Sequence, residues 1–545
     1  MNLWTRAQRY VAANGVRGTV RRAGEKTAER IGRTWDRAWR RLAPDEETLA
    51  KQRADQPNAG LISVVIPVWK TEPKLLEALI DSLIAQTYLN WEACLYVTGD
   101  REDTDGALRQ ALEKDRRIRV LHGENGGISA NTNQAIAMSR GDWIALCDHD
   151  DLLPPDALWT LAEEIARDEC DVIYTDEDKI GERGRVHKEP HLKPDFCPDT
   201  LRSVNYICHL MAVRRTLMEE AGGLRPEYDG SQDHDLALRL SEKTDRIRHL
   251  PHIGYHWRTV KTSMSKQHED QCLEAAARAV ADHMERIGWP GTVTAENGVL
   301  RLRYFLRDLS GAAFVVAKSS REAEPCVKAL RAVLPAEIPV KAAIGENRFE
   351  TMNRAAARTD RGLLLFVDAA VRGFTPHFFR ELAMYAQRPD VGVVTPMLTD
   401  AFGHVTHAGF AVGVTGGLRC RNQGLPRTAG GRFLLNRVSH NVGAVSPACF
   451  MVRRSVWQPL DPAYRTAFAA ADACMALSEK GLRHVFTPHA RAVCAEPEKL
   501  LLLTEDRDAE DLERFRERWG EVKDPCWNPG LRDDRGNLSA RRAGE

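Results

Sequence analysis

From Leu61 onward the chain alternates between two patterns of apolar positions. Leu61–Val68 is a β-branched apolar run and predicts a buried strand. Pro73 to Gln86 then places Leu75, Leu76, Leu79, Leu83 and Ile84 at helical spacing, so one face is apolar. The alternation continues with a strand at Trp91–Val97, a helix at Thr104–Lys114 and a short strand at Ile118–Leu121. A helix at Ile128–Ser139 follows, then a strand at Trp143–Cys147 and a helix opening near Asp156. Strand–helix repetition with short loops predicts an α/β fold, its mostly parallel, Rossmann-like sheet covered on both faces. Such sheets bind ligands at the carboxyl ends of their strands.

The second half repeats the plan. Apolar runs at Phe314–Ala317, Leu363–Val367 and Val391–Thr395 predict strands. Asn353-Arg354-Ala355-Ala356-Ala357 echoes Asn133-Gln134-Ala135-Ile136-Ala137, and Ser478-Glu479-Lys480 echoes Ser241-Glu242-Lys243. The divisions expected are a basic helix and linker at 1–60, a first α/β domain at 61–300, a second at 301–500, and a helix and tail at 501–545.

The amino terminus breaks the pattern. Between Met1 and Leu42, eleven basic and three acidic residues leave a local charge of +8, and Ile31, Trp35, Trp39 and Leu42 recur at helical spacing. Three readings fit this: an interfacial helix contacting an anionic membrane surface through residues 1–42, a helix packed on the body, or a solvated arm.

Composition narrows the classes. The 545 residues carry 77 basic and 77 acidic side chains, a formal net charge of zero, which argues against retention on nucleic acid by bulk charge. With no secretory h-region or bilayer-length apolar run in view, a cytoplasmic protein, peripheral at most on the inner membrane, is expected. The 12 cysteines include no CxxC pair, so a zinc ribbon is not expected and reduced thiols are.

Chemistry concentrates where the sheet predicts it. Asp148-His149-Asp150-Asp151 follows the strand Trp143–Cys147 directly. Carboxylates crowded at a strand end repel one another unless a cation joins them, and hard oxygen donors suit Mg²⁺ or Mn²⁺ and thereby a diphosphate. The alternative is a solvated acidic turn. Asp233 and Asp235 precede the apolar positions of a helix. Asp235 reads as its cap, whereas Asp233, just outside the turn, is free to act as a base. His256, within Tyr255–Arg258, is a candidate ligand. Tyr174-Thr175-Asp176-Glu177-Asp178 reads either as a solvated turn or as part of an acceptor pocket.

In order, Ile62–Trp69, Gly126-Gly127, Asn131–Ala135, Gly141-Asp142, Asp148–Asp151, Tyr174–Lys179, Lys193-Pro194-Asp195, Asn205-Tyr206, Gly230–Asp235 and Tyr255–Arg258 resemble family 2 glycosyltransferases with the GT-A fold. They are most similar to a bacterial branch serving O-antigen and surface polysaccharide assembly, such as rhamnosyltransferases. The resemblance covers residues 61 to about 266 and implies a tandem GT-A architecture. By it, Asp148 and Asp150 form the DxD motif that holds nucleotide and metal, Asp233 is the general base, and His256 is a late metal ligand. Asp100, Asn125 and Asn131 lie near the donor. The implied reaction is metal-dependent inverting transfer from a nucleotide-sugar donor to a glycan or lipid-linked acceptor. A binding pseudoenzyme that scaffolds a partner transferase is the other class. Where the family shows paired aspartates after the second strand, this chain has Thr98-Gly99-Asp100, so only Asp100 remains.

The second half resembles a module that has lost its chemistry. The metal-binding Asp of the DxD motif aligns with Ala370, the base with Ala470, and the late His with Cys494-Ala495; Asp472 alone persists. Asp368 is the candidate for an alternative acid there.

Overall fold

The computed structural model describes residues 35–99, 102–259, 269–307, 310–414, 417–496, 500 and 508–531. Asp100, Ile31 and the arginines before Trp35 lie outside this set.

Residues 35–42 form helix α1, followed by α2 (Glu46–Ala54). The first sheet takes β1 (Ile62–Trp69), β2 (Trp91–Thr98), β3 (Ile118–His122), β4 (Trp143–Leu146), β5 (Val172–Gly181), β6 (His187–His191), β7 (Met211–Arg214) and β8 (Ile247–Thr259). Its helices are α3 (Pro73–Ile84), α4 (Glu102–Lys114), α5 (Ile128–Met138), α6 (Ala157–Ile165), α7 (Pro198–Ser203), α8 (Arg215–Ala221) and α9 (Gln232–Ser241). Helix α10 (Glu269–Arg286) and the hairpin β9 (Gly291–Glu296) and β10 (Val299–Tyr304) lead to the second sheet.

That sheet contains β11 (Gly311–Ala317), β12 (Val340–Ile344), β13 (Leu363–Asp368), β14 (Val371–Arg372), β15 (Val391–Thr399) and β16 (Val405–His407). A small hairpin of β17 (Phe410–Val414) and β18 (Gly417–Cys420) follows, before the sheet resumes with β19 (His440–Val442), β20 (Cys449–Arg453) and β21 (Arg483–Cys494). The accompanying helices are α11 (Ser320–Arg331), α12 (Arg348–Ala357), α13 (Phe378–Ala386), α14 (Phe468–Ser478) and α15 (Ala509–Trp519).

The predicted elements are present, with boundaries moved by up to four residues, the largest change being the strand predicted at Val391–Thr395, which runs to Thr399. β1 is fully buried up to Trp69, in keeping with its Val- and Ile-rich run. The first sheet runs β3-β2-β1-β4-β7-β5-β6, with β8 on β5. Its β3-β2-β1-β4 portion is parallel; β7 then runs antiparallel to both β4 and β5, so the sheet is mixed rather than uniformly parallel.

The repeat is visible in strand direction. The path β2-β1-β4-β7-β5-β8 pairs parallel, parallel, antiparallel, antiparallel, parallel. The path β12-β11-β13-β20-β15-β21 pairs in the same succession. A single buried apolar cluster extends from Val65 and Tyr174 in the first sheet to Phe366 and Phe515 in the second half, so the two halves share a core.

Candidate active site

The Asp148–Asp151 turn leaves β4 at the carboxyl edge of the parallel strands. Asp151 is its scaffold: Tyr255 Oη donates to Oδ2 at 2.7 Å and the Arg258 amide to Oδ1 at 2.6 Å. Burial, then the charges of Asp150 and Asp148, push the Asp151 carboxyl well above its ordinary range. Burial also raises Asp150, with Asp148 adding to the rise against His149 and Arg258. The turn therefore concentrates negative charge in a poorly solvated place, the arrangement a divalent cation relieves.

A candidate ligand that sequence reasoning missed stands here. Donor atoms of Asp148, Asp151 and His209 lie within 4.8 Å of one another. His209 follows Tyr206-Ile207-Cys208 and stacks on Tyr255 at 4.6 Å. It carried no sequence signal, because it is a lone His far from the aspartates along the chain. Two carboxylates and an imidazole are a donor set that fits Mg²⁺ or Mn²⁺.

The segment containing His209 also reaches Asp233. Burial, then the charges of Glu177 and Asp233, push the Cys208 thiol up, so Cys208 lies within electrostatic reach of both. Residues 205–209 thus join the DxD turn to Asp233 along one wall. Asp233 sits in the first turn of α9, not ahead of it as the sequence suggested, because the helix already begins at Gln232 after Ser231. Its Oδ2 accepts from Asn205 Nδ2 at 2.8 Å. Asp235 is not a cap: it is fully buried between Arg225 and Arg239, whose hydrogen bonds hold its carboxyl low although burial opposes them.

Asn125 and Asn131 shape the loop before α5. Asn131 donates to Asn125 Oδ1 at 2.9 Å and accepts from the Gly126 amide at 3.1 Å, while Asn125 accepts from the Gly127 amide at 3.2 Å. Gly127 has φ 94°, and a Cβ there would meet Asp229 Oδ2 at 2.5 Å, so only glycine fits. Both side chains are engaged in building the turn, Asn131 buried and Asn125 exposed.

His256 is placed beside the DxD turn by backbone: its amide and carbonyl both pair with Leu152, at 2.9 and 3.2 Å. Its side chain does not join the Asp148 group. Nδ1 contacts Asp178 Oδ1 at 2.6 Å, and His187 Nδ1 contacts Asp178 Oδ2 at 2.9 Å. Donor atoms of these three residues also lie within 4.8 Å of one another. The acidic run that reads as a solvated turn is instead the buried strand β5, with a partner for every carboxylate. Asp176 meets His249 and Asn528, Glu177 meets Lys193 and His191, and Asp178 meets the two histidines. Burial would raise Asp178, but the bonds from His187 and His256 outweigh it and hold the carboxyl low.

The aromatic residues expected at a lipid surface are also found here. Trp35 and Trp39 are 2% and 8% exposed and pack with Leu192, Ile253, Trp527 and Leu531. This corrects the interfacial reading for these two residues, since a ring packed in the body has no apolar face left for lipid. Among the described residues, no helix is long and apolar enough to cross a membrane.

The corresponding positions of the second half are closed. The Leu152–His256 bridge has its counterpart in Val371–Cys494. Asp368 is buried, paired to Arg348 at 2.8 Å, and accepts from the Ala370 amide at 2.9 Å, so both oxygens are occupied. Ala470 lines a small apolar pocket with Phe450, Trp457 and Leu460. Asp472 accepts from Arg518 and Trp519 of α15, each at 2.8 Å.

With this geometry established, residues 63–221 match Glycosyl transferase family 2. Residues 63–221 are therefore similar to a glycosyltransferase family 2 domain, and they lie in the expected α/β fold. Among curated relatives, the chain is 31% identical to the O-antigen biosynthesis protein RfbC of Myxococcus xanthus, over 79% of this chain and 37% of that protein. It is 30% identical to the Sinorhizobium fredii protein y4gI, over 95% of this chain and 62% of that one. The chain thus spans less than two thirds of either relative. Among solved structures, TarS 1–349 of S. aureus in complex with UDP-GlcNAc overlaps with a TM-score of 0.35 at 18% identity, over 41% of this chain and 66% of that one. At that score the overlap adds nothing to the reading of the site.

Proposed function

We propose that the protein is a metal-dependent, inverting glycosyltransferase that moves a sugar from a nucleotide-sugar donor to a glycan or lipid-linked acceptor in surface polysaccharide synthesis. The observation that supports this reading is the segment 205–209: Asn205 donates to Asp233, and, four residues on, His209 offers a ring nitrogen within 4.8 Å of carboxylate oxygens of Asp148 and Asp151. The O-antigen assignment of RfbC supports the polysaccharide context.

In this reading Asp148 and Asp150 would hold Mg²⁺ or Mn²⁺, with His256, whose backbone pairs with Leu152, and His209, whose ring lies with Asp148 and Asp151, as the imidazoles available to it. The ion supplies charge neutralisation for the departing diphosphate. Asp233 takes the proton from the acceptor hydroxyl as that oxygen attacks the anomeric carbon from the face opposite the diphosphate, which inverts the configuration. Asn205 orients Asp233 by donating to Oδ2, leaving Oδ1 for the hydroxyl. Asp100 and the Asn125–Asn131 turn border the donor. The second half serves as a catalytically silent GT-A-like partner, because Ala370 and Ala470 offer neither ligand nor base.

The test is nucleoside diphosphate release by purified protein with Mn²⁺ and a panel of UDP-, GDP- and dTDP-sugars. Release with one donor that disappears in Asp150→Asn is expected. No release with any donor, with or without membrane extract as acceptor source, contradicts the proposal and favours a binding role.

A further inference from the structure

Helix α1 makes three separate contacts with the group around His256. Trp35 Nε1 donates to Asp178 Oδ2 at 2.8 Å. Asp36 Oδ1 accepts from the His187 amide at 3.1 Å. The Trp39 ring lies edge-on to His256 at 4.9 Å and tilted against His187 at 5.3 Å. The two imidazoles stand 4.7 Å apart.

Asp178 is the centre of this arrangement. It is fully buried, and its two oxygens receive His256, His187 and Trp35. A carboxylate so placed fixes the rotation of each imidazole through Nδ1, so Nε2 is the nitrogen of His256 that Asp178 does not hold. Because the backbone of His256 pairs with Leu152, the residue after Asp151, a fixed ring there has a fixed relation to the DxD turn. Carboxylates that orient ligating histidines in this manner set ligand basicity and geometry, and their loss typically weakens metal binding about 10–100-fold.

We propose that Trp35, Trp39 and Asp178 are positioning residues for the metal centre, and that α1 is thereby an integral part of the active site. The inference rests on the reading of His256 as a group that serves the metal. It makes metal affinity depend on a helix that precedes the family 2 match, and it assigns the tryptophans of the basic amino-terminal region a role at the catalytic centre. The packing supports this, because a helix that served only as an anchor would not need an indole N–H aimed at a buried carboxylate. Trp35 Nε1 is such a donor, and the Trp39 ring excludes water from the imidazole pair.

The experiment is Mn²⁺ titration of the full-length protein, followed by electron paramagnetic resonance, with thermal melting on every sample. Wild type, Trp35→Phe, Asp178→Asn, Trp39→Leu and His256→Ala are compared with Phe402→Ser, a change at an exposed side chain far from this group in sequence. Trp35→Phe removes the donor together with part of the buried indole, whereas Asp178→Asn is near-isosteric, so the two changes taken together separate positioning from packing. The expected result is Mn²⁺ affinity about tenfold or more weaker in Trp35→Phe, Asp178→Asn and His256→Ala, with an altered spectrum and a cooperative melt in each. Phe402→Ser binds as wild type. Unchanged affinity in folded Trp35→Phe and Asp178→Asn overturns the proposal, as does unchanged affinity in His256→Ala. In either case donor turnover by wild type, lost in Asp150→Asn, leaves the transferase reading standing.

Discussion

Two aspartates two positions apart, Asp233 and Asp235, separate by environment. Asp235 is buried between two arginines, so replacing it strands their charges; Asp235→Ala is expected to cost about 3–5 kcal/mol, read as a lower denaturant midpoint. Asp233 has one neutral partner, Asn205, and Asp233→Asn is expected to leave that midpoint within about 0.5 kcal/mol while removing transfer. The sequence showed that an acid would stand near this helix start but not which of the two is structural, because the arginine partners come from residues 225 and 239. The same limit hid His209 and Asp178. Asp148 to Asp151 were legible because they are contiguous, whereas their neighbours are brought in by the fold.

At the level of elements, the two halves differ in what covers the second one. Helix α15 lies on α14 through Phe515 against Phe468, and Asp511 accepts from Thr466 Oγ1 at 2.5 Å and from its amide at 2.8 Å. Restoring acids cannot reopen that surface. Ala470→Asp is expected to destabilise the protein by about 3 kcal/mol or more, since it places a carboxyl in an apolar pocket without a partner, and to add no turnover. Stable protein with new activity in Ala470→Asp would contradict the view that the second half is silent. Apolar periodicity made the strands and helices of both halves readable, and the echoed Ser-Glu-Lys segments marked the repeat. Periodicity does not report what an amphipathic helix packs on, which is why α1 read equally well as a lipid-facing helix.

The whole molecule is tied together across the halves. Arg388 reaches Asp199 with bonds of 2.5 and 3.3 Å, Asn441 donates to the same carboxylate at 3.0 Å, and Asn528 of the carboxyl-terminal segment reaches Asp176 at 2.9 Å. With a shared core beneath these links, calorimetry is expected to show one cooperative transition; two well-separated transitions would contradict the interlock. Acid should weaken the assembly in a defined window. Burial lowers His407 and His440 to about 3 and His484 to about 4. Each is neutral when folded and takes a proton in the unfolded chain below about pH 6.5, so stability is full above that value and falls as pH drops toward 4. His407 Nε2 accepts from the Ser446 amide at 3.0 Å and the Gly409 amide at 3.2 Å, which a protonated ring cannot do. His407→Gln is expected to flatten the fall in melting temperature between pH 6.5 and 4; an unchanged slope would show that His407 does not titrate on unfolding.

In the proposed reaction, acids far apart in sequence, the Asp148–Asp151 turn and Asp233, work on one substrate. The direct measurement is single-turnover sugar transfer from the preferred donor by wild type, Asp150→Asn and Asp233→Asn, each verified as folded. Asp233→Asn is expected to lower the rate by about 10²–10⁴ with donor binding retained, whereas Asp150→Asn loses donor and Mn²⁺ binding together. Transfer by Asp233→Asn within twofold of wild type would contradict the proposed reaction.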